Sequence, residues 1–219
     1  MGYSVAVSSP ASRTKPEGKR ARNRRERTEA LVNAGLELFL ERGVEVVTID
    51  ELAKAAGMAK GNFYRYFDDK RALVDAILAP IASDVRTAMR RCAVTLGRAD
   101  AGTDLNAVYA ALALELAGVT LPRLKVAQFY LQENRSPPTP STEGIRALAL
   151  EMSQGAIHLT DVAVSHDLLR VSDPRVSALA VVGAVEQLAL AVLRGELDAH
   201  GDEIARIVVS MVLDGIRAR

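Results

Sequence analysis

Residues 48–70 read TIDELAKAAGMAKGNFYRYFDDK. Thr48 precedes an apolar pattern and Glu51 stands three residues later, the pairing that satisfies the free N–H groups at a helix start. Ile49, Leu52, Ala53 and Ala56 recur at the spacing of one helix face. Gly57 then supplies the residue that tolerates left-handed backbone at a helix end. A second short helix is expected at about 60–66, anchored by Phe63, Tyr66 and Phe67. Neither helix is long enough to be stable alone, so a third must lie beside them. Two short helices across a tight turn describe a helix-turn-helix, whose second helix enters the major groove of DNA.

The third helix is expected at 24–42, with Leu31, Ala34, Leu38 and Phe39 as its inner stripe and Gly43 as its stop. Val44, Val46, Val47 and Ile49 complete the small core with Leu52 and Phe63. A fourth helix is expected from Asp69 towards Leu96, capped by Asp68 or Asp69 and kinked or ended at Pro80. Its first turns (Leu73, Ala76, Ile77) belong to this core, and Ile81, Val85 and Met89 continue into whatever follows.

Several pieces of this stretch carry a resemblance. They are Thr48-Ile49 opening a helix, residues 53–57 (AKAAG) at the turn, residues 61–64 (GNFY) in the recognition helix, and residues 66–73 (YFDDKRAL) leading onward. In this order they resemble the N-terminal domain of the TetR family of bacterial transcriptional regulators, over roughly residues 24–77. There is one departure: where the family often has Ser or Thr at the start of the recognition helix, this chain has Ala59. A hydroxyl cap and one phosphate contact are therefore missing.

The recognition helix leaves Lys60, Asn62 and Arg65 free to face DNA, with Ala59 and Gly61 permitting close approach. Asn pairs bidentately with adenine and Arg with guanine, so the set is able to read bases. The resemblance implies phosphate contacts from Thr48, Tyr64 and Lys70. Net charge is only +1, but residues 1–70 hold 13 Lys/Arg against 10 Asp/Glu. Between residues 13 and 27 there are eight basic residues and two acidic ones. Positive charge thus gathers beside the helix-turn-helix, where phosphates would lie.

The rest of the 219-residue chain is also expected to be helical. Apolar residues make up 49%, aromatic residues 4%, and no alternating run is long enough for a confident strand. Helices are expected at about 103–117, 123–133, 142–164, 174–194 and 202–217, the first capped by Thr103. The loop SPPTPS at 136–141 separates two of them. The organisation expected is a disordered basic arm at 1–23, the helix-turn-helix domain at 24–77, and an effector-binding and dimerisation domain at 78–219. The arm is read either as a solvated tail or as a further grip on DNA.

Residues 176–193 are apolar on nearly every side, and the final helix has a broad apolar stripe. So much apolar surface needs cover, which a second copy of the chain supplies as an intermolecular four-helix bundle. Leu179, Val182, Leu188, Ile207 and Met211 are the expected interface. Residues 176–193 are the only run resembling a membrane span, and Glu186 and Gln187 near its middle argue against one. Residues 1–20 lack the apolar core of a signal peptide, and a single cysteine, Cys92, fits a reducing compartment, so a cytoplasmic protein is expected.

The resemblance implies a small-molecule effector held among the central helices, with Met89, Tyr109, Phe129, Gln132, Met152 and His158 as candidates for its pocket. It also implies a homodimeric repressor released from a pseudo-palindromic operator when the fourth helix shifts. A rival reading takes His158, Asp161 and His166 as a metal site of a helical enzyme. No nucleophile-base constellation or phosphate-binding Gly loop is present, so neither catalysis nor a cofactor is expected, and Cys92 reads as a small core residue.

Overall fold

The computed structural model describes residues 18–100, 102–197 and 201–216. Among them the chain is all-helical. The helices are α1 (Lys19–Arg42), α2 (Ile49–Ala55), α3 (Lys60–Phe63), α4 (Lys70–Leu96), α5 (Leu105–Thr120), α6 (Leu124–Asn134), α7 (Glu143–Ser165), α8 (Pro174–Leu193) and α9 (Gly201–Ile216). Short 3-10 turns at Leu121–Arg123 and Pro140–Thr142 precede α6 and α7. α1 begins five residues before the expected start. Most of the expected arm, residues 1–17, lies outside the described residues.

Local chemistry accounts for most boundaries. The backbone N–H of Thr48 donates to Glu51 Oε2 at 2.8 Å, and the Glu51 N–H donates back to Thr48 Oγ1 at 3.3 Å, which closes the capping box of α2. Gly43 (φ +80°) ends α1, and Gly57 (φ +68°) makes the turn after α2, both in the left-handed region that glycine permits. Asp69 accepts the Ala72 N–H at 2.7 Å and starts α4.

An end of the helix at Pro80, one of the two readings of that proline, and the Thr103 cap are not what the structure shows. α4 runs through Pro80 without ending, because Leu78, Ile81 and Ala82 on either side are buried and their packing outweighs one lost backbone bond. Asp104, not Thr103, caps α5, accepting the N–H groups of Asn106 and Ala107. Thr103 instead receives the Asp100 N–H in the preceding turn.

Leu31, Phe39, Val44, Val47, Leu52, Phe63, Leu73 and Ile77 form the fully enclosed centre of the N-terminal core. Gly35 lets α1 and α4 close on each other, since a Cβ there would stand 2.8 Å from Leu73 Cδ2. This core does not stop at residue 77. It continues without a gap into Phe129, Leu131, Ile145, Leu148 and Leu190 from α6, α7 and α8. A second cluster at the far end gathers Cys92, Leu96, Leu105, Leu159, Ala163, Leu169 and Leu213. α4 enters both, as the sequence implies. α7 lies between α4 and α8, and α5 lies between α4 and α9.

The outer faces of α8 and α9 remain bare in the single chain. Leu179, Ile207 and Met211 are 48%, 58% and 59% exposed, while Val182 and Leu188 are partly covered. The stretch Leu105–Asn134 is also long and apolar enough to cross a membrane by length and composition, so α8 is not alone in this.

Candidate nucleic-acid interface

The four-residue α3 is too short to hold itself, and its position comes from one side chain. Phe63 is fully buried, with Phe67 5.9 Å away and Tyr64 edge-on at 5.6 Å between ring centres. With Phe63 inward, Lys60, Gly61, Asn62, Tyr64 and Arg65 all face solvent. Nothing lies within 4 Å of where a Gly61 Cβ would stand, so the surface there is open to a large partner. Ala59 occupies the N-cap and makes no side-chain cap, as its lack of a hydroxyl dictates.

Thr48 is exposed at the start of α2. Its hydroxyl and backbone N–H both engage Glu51, which also receives Arg42 Nη1 at 2.7 Å. The Thr48 N–H, then the Arg42 guanidinium, hold the Glu51 carboxyl down at about 2. The cap therefore stays charged at any physiological pH.

Lys70 departs from its expected role. Its Nζ donates to the carbonyls of Val44, Glu45 and Val47 at 2.9, 3.1 and 3.1 Å. An ammonium has three protons, and all three are spent inside the protein. Lys70 is thus a bolt from α4 to the α1–α2 connection rather than a free phosphate donor. Spacing along the chain gave no sign of this, because the carbonyls lie 23 to 26 residues away.

The same connection is gripped from the other domain. The Val44 N–H donates to Glu133 at the end of α6, and Thr139 donates to Glu45 Oε1 at 2.6 Å. Lys125 pairs with Glu37 at 2.6 Å, and Phe129 stacks on Phe39 at 5.8 Å. α6 and α1 therefore form a second seam between the domains beside the covalent one through α4. Glu133 and Thr139 were not singled out in the sequence; a lone acid at a helix end has no pattern to betray burial.

The six expected pocket residues are distributed over α4, α5, α6 and α7. Phe129 is fully buried in the α1–α6 seam, and Met152 packs on the same core. Met89 fills the α4–α7 crossing, where a Gly155 Cβ would meet its Sδ at 2.7 Å. Tyr109 packs against the far cluster, its hydroxyl pushed up by burial. Gln132 is half-buried on α6, and His158 is exposed on α7. His158, Asp161 and His166 are all exposed, and among the described residues no three potential metal ligands come together. Burial, with Glu115 nearby, raises the Cys92 thiol to about 11, which suits a core residue.

A buried-anchor recognition helix on a three-helix core, joined by one long helix to a larger helical domain, defines a helix-turn-helix protein of two-domain build. In its N-terminal domain the chain is similar to the TetR family. Residues 31–77 match the model of the bacterial regulatory proteins, tetR family. The HTH-type transcriptional repressor KstR2 of Rhodococcus jostii is 41% identical over 59 residues, which are 27% of this chain and 28% of that protein. BetI, an HTH-type transcriptional regulator of Escherichia coli, is 33% identical over 82 residues, 37% of this chain and 42% of that protein. These matches span less than half the length of either relative.

The likeness in fold is more extensive. NalD, the secondary repressor of the MexAB-OprM multidrug efflux pump in Pseudomonas aeruginosa, superposes with a TM-score of 0.70 at 20% identity, over 90% of this chain and 98% of that one. FadR from Bacillus subtilis, solved with stearoyl-CoA, gives 0.66 at 14% identity, over 86% and 99%.

Proposed function

We propose that the protein is a homodimeric transcriptional regulator, a repressor released from a pseudo-palindromic DNA operator by a small-molecule effector. The observation that carries the DNA half is α3: Lys60, Asn62 and Arg65 stand exposed around a fully buried Phe63, with Gly61 open between them. Asn62 and Arg65 are the base readers, for adenine and guanine respectively, and each correct pairing contributes roughly 1–3 kcal/mol of discrimination. Lys60 and Tyr64 serve phosphates, and Thr48 approaches the backbone at the start of α2.

The bare apolar faces of α8 and α9 support the dimer. Leu179, Ile207 and Met211 on those faces are about half exposed within the chain. A two-fold axis there makes the interface self-complementary and sets two copies of α3 at a fixed separation. The effector half rests on family and fold. Repressor and regulator names among the relatives, and stearoyl-CoA bound to one protein of the same fold, support it. The protein acts in the cytoplasm, where chromosomal DNA is, and needs no enzymatic activity.

The test is selection of sites from random duplex DNA by the purified protein. The expected outcome is an inverted repeat whose preference relaxes at particular base pairs in Asn62→Ala and Arg65→Ala. A selection with no repeat, or one that both variants leave unchanged, overturns the reading.

A further inference from the structure

In its second half, from Ala30 onward, α1 packs one face on the helix-turn-helix core through Ala30, Leu31, Ala34 and Leu38. At 3.6 residues per turn, Arg27, Arg24 and Arg20 lie within about 40° of Leu31 around the helix, on that same face. The core ends at Ala30, so these three arginines project from the packing face past the edge of the domain, and all three are exposed. Arg22, Arg25, Glu26 and Glu29 lie more than about 110° from Leu31, off this stripe. There Arg22 pairs with Glu26 and Arg25 with Glu29, each at 3.6 Å. The helix thus sorts its arginines: Arg22 and Arg25, paired with Glu26 and Glu29, lie off this stripe, and Arg20, Arg24 and Arg27 face the cleft beside the reading head.

The stripe also has a shape. Arg20, Arg24 and Arg27 line an open cleft of about 800 Å³ that Arg65 and Tyr66 close on the other side. Arg24 sits over the Tyr66 ring at 5.8 Å, which ties the stripe to the residues following α3. Arg27 lines a second cleft too, shared with Gly57, Ala59 and Asn62. One groove therefore runs from the start of α1 to the recognition helix. Glu26 borders the first cleft, but its carboxylate is paired with Arg22.

We propose that the Arg20–Arg24–Arg27 face of α1 is a second DNA-contacting surface, which holds the phosphodiester strand flanking the groove that α3 enters. This rests on the DNA-binding reading above and extends it. Guanidinium groups match phosphate oxygens in fork geometry, and a row along a helix tracks a strand rather than a single ion. The contact is independent of sequence, so it adds affinity and register while α3 supplies the choice of bases.

The experiment compares two double variants that remove equal charge, Arg20→Ala/Arg27→Ala and Arg22→Ala/Arg25→Ala, on a 30-base-pair duplex of arbitrary sequence across a salt series. Circular dichroism melts check that both keep the fold. Each guanidinium taken away from a phosphate should reduce the slope of log affinity against log salt by about 0.9. The expected result is a slope lower by almost two units for Arg20→Ala/Arg27→Ala and little change for the other pair. Hydroxyl-radical footprints on a selected operator should lose protection outside the α3 groove in the first variant only. Equal losses in both doubles would reduce the effect to net charge and overturn the proposal. So would unchanged duplex binding, which would assign the stripe to some other anion. A wild type that binds no DNA at all would overturn the proposed function itself, and an unaltered stripe variant that still depends on Asn62 would overturn only this surface.

Discussion

The Thr139 hydroxyl donates to the Glu45 carboxylate at 2.6 Å, across 94 residues of sequence. It ties the loop after α6 to the connection between α1 and α2, four residues ahead of Ile49 where α2 begins. Lys70 holds the same connection from α4, and Glu133 holds it through Val44. α6 is thereby joined to the helix-turn-helix by contacts that do not pass along α4.

Thr139→Val keeps the shape of the side chain and removes the bond. The amides of residues 44–47 should then exchange with solvent about fivefold faster, the effect of losing roughly 1 kcal/mol locally. Hydrogen exchange followed by mass spectrometry of that peptide measures it. The Thr139 hydroxyl, with Ser141 and Lys70 beside it, holds the Glu45 carboxyl below the usual carboxylate range. In the variant Glu45 should titrate higher.

Lys70→Met should destabilise the protein by about 2 kcal/mol, because three carbonyls lose their donor together. Urea denaturation gives the number. DNA affinity should fall in step with the disorder of residues 44–47. A variant as stable as the wild type that nevertheless binds DNA poorly would return Lys70 to the role of a phosphate contact.

Glu133 makes stability depend on pH. Burial pushes its carboxyl above the usual range, against the Val44 N–H, and neighbouring Glu45 adds to the rise. The folded state therefore holds this proton more tightly than the unfolded chain. Stability should fall as pH rises from the usual carboxylate range through the raised value. Glu133→Gln should flatten that slope in urea melts taken between pH 4.5 and 8. Glu51, held at about 2 in the fold, adds an opposing slope only at the acid end of this window, where its unfolded carboxyl titrates near 4.5, and Glu133→Gln leaves that contribution unchanged.

Ile207→Glu and Met211→Glu test the dimer. Both positions are exposed in the single chain, so the charge costs the isolated fold little. Buried unpaired in a two-fold interface it costs several kcal/mol, enough to raise the dimer dissociation constant at least 100-fold. Sedimentation at micromolar concentration should give dimer for the wild type and folded monomer for each variant. A dimer that survives both changes would move the interface elsewhere.

Local chemistry made the reading head legible. A capping box, glycines at Gly43 and Gly57, and apolar residues at helical spacing are short-range signals, and they set the starts of α2, α3 and α4 within a residue or two, while α3 ends at Phe63, short of the expected 66. The resemblance to the TetR family rests on the same stretch. Contacts between distant segments were not legible. Lys70 reads as a surface cation until three carbonyls 23 to 26 residues away surround it. Glu133 reads as solvated until α6 lays it against Val44. Phe129, a candidate for the pocket, stacks on Phe39 in the seam, and α4 continues through Pro80, where a kink or an end of its first part was expected. Capping and periodicity act between residues within about four positions, so the sequence alone determines where helices start and stop. Which face of α6 meets α1 depends on the joint burial of several helices at once, and only the tertiary structure decided it.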